Sequence, residues 1–308
     1  MRPLISEMIG GPLITTSSAR HIKTNKKEIN LRCFIKKYSY SLLKLCYFLR
    51  FHCLKITFYS MSKLLAWLVH AFTASGIVVG LWAIICVSNG QFIMAFWMLL
   101  LTQIIDGVDG TFARMVKTTE VLPDVSGKTM DYVIDFCTYA VIPAYLIYEA
   151  NSITTGQFLL PNEVRFLIPA TILITSTIYY GKEGMVSNDY YFVGFPVMWN
   201  LVAYYLYVVF ELSPWMNVAI ILFFCVLLFV PIKFVYPSRT KKFKSMNIIM
   251  TFLILGSNAV LLIDASQWID IGSQIGLMKV LSIGSLVYFG VTAVYHTYFD
   301  ADTIGIRS

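Results

Sequence analysis

From Met61 onward, long apolar runs alternate with short polar breaks. The runs lie at about 64–87, 91–113, 129–148, 164–181, 191–211, 215–235, 247–264 and 277–298. Each is close to the ~20 residues that a helix needs to cross a bilayer. The pattern predicts an all-α, polytopic membrane bundle of about eight transmembrane helices.

Residues 1–60 do not follow this pattern. They mix Lys and Arg with scattered aromatics, and the stretch 42–58 is broken by Lys44, Arg50, His52 and Lys55. One reading is an amphipathic helix lying on an anionic membrane surface. The reading adopted is translated upstream sequence, with Met61 as the start of the native protein. The expected division is therefore a basic N-terminal extension, 1–60, and a membrane domain, 61–308. A cleaved signal peptide is not expected, because no compact apolar core with a small-residue site follows the charges.

Composition sharpens the membrane reading. The 308 residues are 57% hydrophobic and 13% charged, with mean hydropathy +0.70; a soluble domain needs more polar surface. The net charge of +7 is a local property. Residues 1–60 carry eleven Lys/Arg against two acids, whereas the remaining residues carry thirteen against fifteen. The body thus offers no basic surface for nucleic acid. Of six cysteines, Cys86, Cys137 and Cys225 sit in apolar runs, and Cys33, Cys46 and Cys53 lack metal-ligand spacing.

The breaks also fix an orientation. With a cytoplasmic start, the inner breaks carry eleven basic residues, among them Arg114, Lys117, Lys128, Arg239 and Lys241, and the outer breaks only Arg165 and Lys279. This positive-inside bias places both ends of the body in the cytoplasm. The run Lys241-Lys242-Phe243-Lys244 reads as a topology determinant.

The chemistry is concentrated at the junction of the second and third runs. The second ends Asp106-Gly107-Val108-Asp109-Gly110-Thr111-Phe112-Ala113-Arg114; the third begins Gly127-Lys128-Thr129-Met130-Asp131-Tyr132-Val133-Ile134-Asp135. Asp106 and Asp109 are i,i+3 neighbours, and Gly127, Asp131 and Asp135 step by four along the next helix. Antiparallel pairing of these helices brings four carboxylates around one small volume. Unpaired they repel; around hard divalent cations they are stable and ionised. Gly107, Gly110, Ala113 and Gly127 leave room for a ligand at the helix backbone, and Arg114 offers a planar donor fork to a phosphate. Ionisable residues at membrane depth usually mark function.

The pattern D-x2-D-G-x2-A-R … G-x3-D-x3-D resembles the signature of the CDP-alcohol phosphatidyltransferases. The resemblance implies that Asp106, Asp109 and Asp131 bind Mg²⁺ or Mn²⁺, and that Asp135 approaches the metals and acts as catalytic base. It implies that Gly110 and Arg114 contact the CDP moiety, with Ala113, Gly127 and Thr73 as further CDP-binding candidates. Twelve residues, Met115 to Ser126, separate the arginine from the next glycine, where most of the superfamily has eight. That longer break is similar to the bacterial phosphatidylcholine synthase subfamily. So are Val69 to Gly76 and Tyr191-Phe192-Val193-Gly194-Phe195-Pro196 through Trp199-Asn200.

The implied reaction joins choline to CDP-diacylglycerol, with release of CMP, at a bacterial inner membrane and with the active site facing the cytoplasm. A quaternary ammonium cannot be selected by an N–H hydrogen bond, but aromatic faces attract it. Tyr132, Phe136 and Tyr139, on the motif helix, and Trp199 are the choline candidates. His70, inside the first run, reads as an interhelical hydrogen-bonding residue. The expected partners are CDP-diacylglycerol, choline and membrane lipid, with a homodimer left open. The rivals are the same chemistry with serine, inositol or glycerol phosphate as acceptor, and a non-catalytic transporter. The transporter predicts acids near the bilayer midplane, whereas here they cluster at one interface.

Overall fold

A computed structural model describes residues 61–299 apart from Thr154 and Asn188, together with Lys44 and Arg50. The chain divides into two compact units, Met1–Leu64 and Leu65–Ser308. Most of the first unit lies outside the described residues, so the reading of 1–60 as a separate extension, and the amphipathic stretch within it, lie there too.

The second unit is mostly helical. Helices α1 (Met61–Ser88), α2 (Phe92–Val116) and α3 (Gly127–Glu149) are followed by the shorter α4 (Leu167–Tyr180), α5 (Trp199–Val209) and α6 (Pro214–Leu227). Helices α7 (Lys244–Ala265) and α8 (Gln274–Tyr298) close the sequence. Among the described residues, α1, α2, α3, α7 and α8 are long and apolar enough to cross a membrane. This makes the chain a multi-pass membrane protein.

Polarity is distributed inside out. Leu68, Val78, Trp82, Phe223, Phe252 and Val280 are each more than half exposed. The buried set includes His70, Thr102, Ser176, Asn200, Asn258 and Ser282. In lipid this is the stable arrangement: apolar side chains meet hydrocarbon, and polar ones find partners between helices. Within the bundle, Tyr205 hydrogen-bonds Ser282, and Ser282 donates to Asn258 Oδ1 at 2.6 Å.

The fifth and sixth apolar runs are only partly helical, which corrects their predicted spans. Tyr191–Val193 forms strand β1 and Lys233–Val235 strand β2, paired antiparallel with Phe192 opposite Phe234. Pro196 and Pro231 have no N–H to continue a helix, and each biases its predecessor away from helical backbone. Gly194 has φ +92, and a Cβ there would run into the carbonyl oxygen of Leu228. Hydropathy alone does not see these breaks.

Small residues set how closely α1 approaches α3. Gly76 and Gly80 lie one turn apart on α1, and Cβ atoms on them would come within 3.3 Å of Ile134 and 3.0 Å of Ile142. Helix α3 itself widens into a π-helical segment at Phe136–Val141. There the Ile142 N–H donates to Cys137 O, five residues back. Pro143 is the cause in sequence: it cannot donate to Tyr139 O. Such widenings recur at functional sites.

Candidate active site

The junction of α2 and α3 is a longer and more ordered turn than a simple loop. Helix α2 ends at Lys117, in left-handed backbone (φ 56), whose N–H returns to Ala113 O. One helical turn, Thr118–Val121, follows. It takes up part of the twelve-residue break. Ser126 then caps α3 by accepting the Thr129 N–H at 3.2 Å, a standard N-cap contact.

This turn brings the motif together. Asp106, Asp131 and Asp135 each offer a carboxylate oxygen, and these oxygens lie within 4.8 Å of one another. Asp109 is buried and lines the same cavity. From α1 the cavity receives Thr73 and Gly76, and Thr73 lies against the Asp109 carboxylate. From α2 and α3 it also receives Thr102, Ile105, Ile134 and Thr138. No Lys or Arg forms an ion pair with any of the four aspartates among the described residues. Clustered carboxylates without a cationic partner repel one another strongly at this depth. Their all-oxygen donor set fits a hard divalent cation.

Tyr139 donates from its hydroxyl to Asp106 Oδ2 at 2.7 Å and is itself buried. It orients a carboxylate. Tyr132 and Phe136 each meet the Tyr180 ring edge-on at 6.0 Å. Tyr180, at the end of α4, thereby joins the motif helix. Trp199 is fully buried and donates to Ser176 Oγ at 2.8 Å. It packs in the core away from the cavity lining. Arg114 is exposed and donates to Thr111 Oγ1 at 3.0 Å. A Cβ on Gly110 would lie 3.4 Å from the Arg114 guanidinium, and one on Gly127 would lie 3.2 Å from His70. His70 is buried, and its Nε2 has no partner among the described residues. Ala113 is half-buried, one residue before Arg114 on α2.

The paired ends of two membrane helices thus hold a pocket of carboxylates whose oxygens suit a divalent cation, with Arg114 within electrostatic range of Asp109. The chain belongs to the CDP-alcohol phosphatidyltransferase family, whose profile matches residues 63–278. Its relatives are more particular. A phosphatidylcholine synthase of Pseudomonas aeruginosa is 37% identical over 217 residues, covering 70% of this chain and 87% of the relative. The phosphatidylcholine synthase of Rhizobium meliloti is 35% identical, covering 68% and 86%. That of Borreliella burgdorferi is 32% identical, covering 78% and 97%.

Proposed function

We propose that this protein is a phosphatidylcholine synthase, moving the phosphatidyl group of CDP-diacylglycerol onto choline and releasing CMP. The observation that carries the reading is the meeting of Asp106, Asp131 and Asp135 in one pocket, within a chain similar over most of its length to phosphatidylcholine synthases.

Asp106, Asp109, Asp131 and Asp135 would hold the cation, proposed as Mg²⁺ or Mn²⁺. Bound there, it supplies Lewis-acid polarisation and neutralises charge that develops on the pyrophosphate. Asp135 takes the proton of the choline hydroxyl. The freed oxygen attacks the phosphorus bearing diacylglycerol, a new P–O bond forms, and the bond to the CMP oxygen breaks. Arg114, within electrostatic range of Asp109, takes the charge of the departing CMP through its N–H fork. Tyr139, bonded to Asp106, keeps that carboxylate pointed into the pocket. Gly110, Ala113, Gly127 and Thr73 leave space for the nucleotide.

For the acceptor, Tyr132, Phe136 and Tyr180 supply adjacent ring faces on the motif side of the bundle. A desolvated cation–π contact is worth ~2 kcal/mol, enough to favour a quaternary over a primary amine. The positive-inside bias supports eight spans, with the pocket and both ends of the body on the cytoplasmic side of a bacterial inner membrane. The native protein starts at Met61 on this reading.

The test is an assay of the purified protein with CDP-diacylglycerol and equal concentrations of labelled choline, ethanolamine, serine and inositol. Choline should be used in clear preference. Equal turnover of ethanolamine or serine would leave a phosphatidyltransferase with the wrong acceptor named.

A further inference from the structure

The turn after the small sheet carries a second arginine within electrostatic range of Asp131. After β2 the chain makes a tight turn, in which the N–H groups of Arg239 and Thr240 both donate to Tyr236 O, at 3.0 and 2.9 Å. The buried Thr240 hydroxyl accepts the Tyr236 N–H at 3.0 Å and donates to Tyr190 O at 2.7 Å. The turn is thereby pinned to the segment that precedes β1. Tyr190 has φ 64, a conformation that bulky residues rarely keep unless their surroundings hold them.

Arg239 stands on this turn. Its guanidinium carbon lies 5.3 Å from the centroid of the Tyr236 ring and 5.9 Å from that of Tyr190. Tyr236 in turn stacks on Phe192, with centroids 4.8 Å apart. A guanidinium held by ring faces keeps its in-plane N–H donors available. Among the described residues the Arg239 side chain forms no ion pair with a carboxylate. Its field nevertheless reaches Asp131, and Tyr236 lies within electrostatic range of Asp106, Asp131 and Asp135. An exposed arginine held against two rings, within electrostatic range of Asp131 and bonded to no carboxylate, is placed to receive an anion that arrives at the pocket.

We propose that Arg239 is a second anion-holding residue of this site. The faces of Tyr190 and Tyr236 set its plane, and its free N–H edge takes a non-bridging oxygen of the CDP-diacylglycerol pyrophosphate. The proposal rests on the reading of the site as one for a CDP-activated lipid. It gives the pyrophosphate two arginines from distant parts of the sequence, Arg114 at the end of α2 and Arg239 after β2. Sequence placed Arg239 only among the charges that set topology.

The experiment measures binding of CDP-diacylglycerol to the purified full-length protein in mixed micelles without any alcohol, and then KM for both substrates. Hydrogen bonds to charged groups are worth ~1.5–3 kcal/mol, so Arg239→Gln should weaken CDP-diacylglycerol binding about tenfold or more. KM for choline should stay within about twofold, because only the anion loses a partner. Arg239→Lys should restore part of the loss, since a point charge replaces the fork. Lys241→Gln, a neighbouring exposed cation, should bind as the wild type does. Tyr236→Leu keeps the guanidinium and removes a face, and should weaken binding by a smaller factor. Unchanged CDP-diacylglycerol binding in Arg239→Gln would overturn the proposal. So would a shift confined to KM for choline, which would give the ring pair to the acceptor's cation. An equal loss in Arg239→Gln and Arg239→Lys together with a lowered Tm would make the residue structural, also against the proposal. Binding without alcohol is independent of the acceptor, so a wild type that binds CDP-diacylglycerol but uses another alcohol leaves this inference standing.

Discussion

Asp106 faces the carboxylates of Asp131 and Asp135, which repel it, and accepts a hydrogen bond from the Tyr139 hydroxyl. Each neighbour makes a different prediction. Asn in place of Asp106, Asp109 or Asp131 keeps the shape but removes the charge that binds a cation. Each variant should insert normally and lose activity by more than about a hundredfold, because charge stabilisation of this kind is worth several kcal/mol. Near-full activity in any of them would remove the cation site. Tyr139→Phe leaves all four carboxylates and deletes one hydrogen bond to a charged group. About tenfold in turnover should be lost, with little change in KM for choline if Tyr139 orients Asp106, and a large rise in that KM if the tyrosine binds the acceptor. Asp189 supplies a prediction about pH. Burial alone would raise its pKa, but the hydrogen bond from Lys233 at 2.8 Å prevails and holds the carboxyl below its usual range. A folded value below the unfolded one means that the contact's contribution is present at neutral pH and fades as the pH falls through the folded value, below ~3.9. Asp189 is half exposed, so the effect on stability is under about 1 kcal/mol. Lys233→Met should remove this acid-dependent part of a thermal-unfolding profile.

At the scale of elements, hydropathy found what is simple in lipid. The predicted runs 64–87, 91–113, 129–148, 247–264 and 277–298 lie within or close to α1, α2, α3, α7 and α8. The i,i+3 and i,i+4 spacing of the aspartates was enough to bring Asp106, Asp131 and Asp135 to one pocket. The runs at 191–211 and 215–235 were misread in part, because apolar character does not separate strand from helix when both are buried. The signals lay in Gly194, Pro196 and Pro231. Gly194→Ala meets both a left-handed backbone and the Leu228 carbonyl, and should cost more than about 3 kcal/mol. A fall in Tm of only a degree or two would show that the β1 region can relax. The π-helical widening of α3 was out of reach for a different reason. Pro143 forbids one hydrogen bond, but nothing in the sequence says whether the helix kinks or widens in response. Tyr180 and Arg239 were hidden because what matters is the helix or turn they face, and that is set by packing between distant segments.

On the scale of the whole molecule, an inside-out bundle carries an anionic pocket where two of its helices end. This arrangement suits a reaction between a lipid substrate and a water-soluble alcohol. A chain beginning at Met61 retains the motif and α1 to α8, and should insert and keep its activity. Lost activity with normal expression would give residues 1–60 a function. The most direct test of the account follows CDP-diacylglycerol and labelled choline with the purified protein and quantifies both products. Phosphatidylcholine and CMP should appear in equal amounts, stop on addition of EDTA and resume when Mg²⁺ or Mn²⁺ is restored. CMP released without phosphatidylcholine, or synthesis that continues in EDTA, would contradict it.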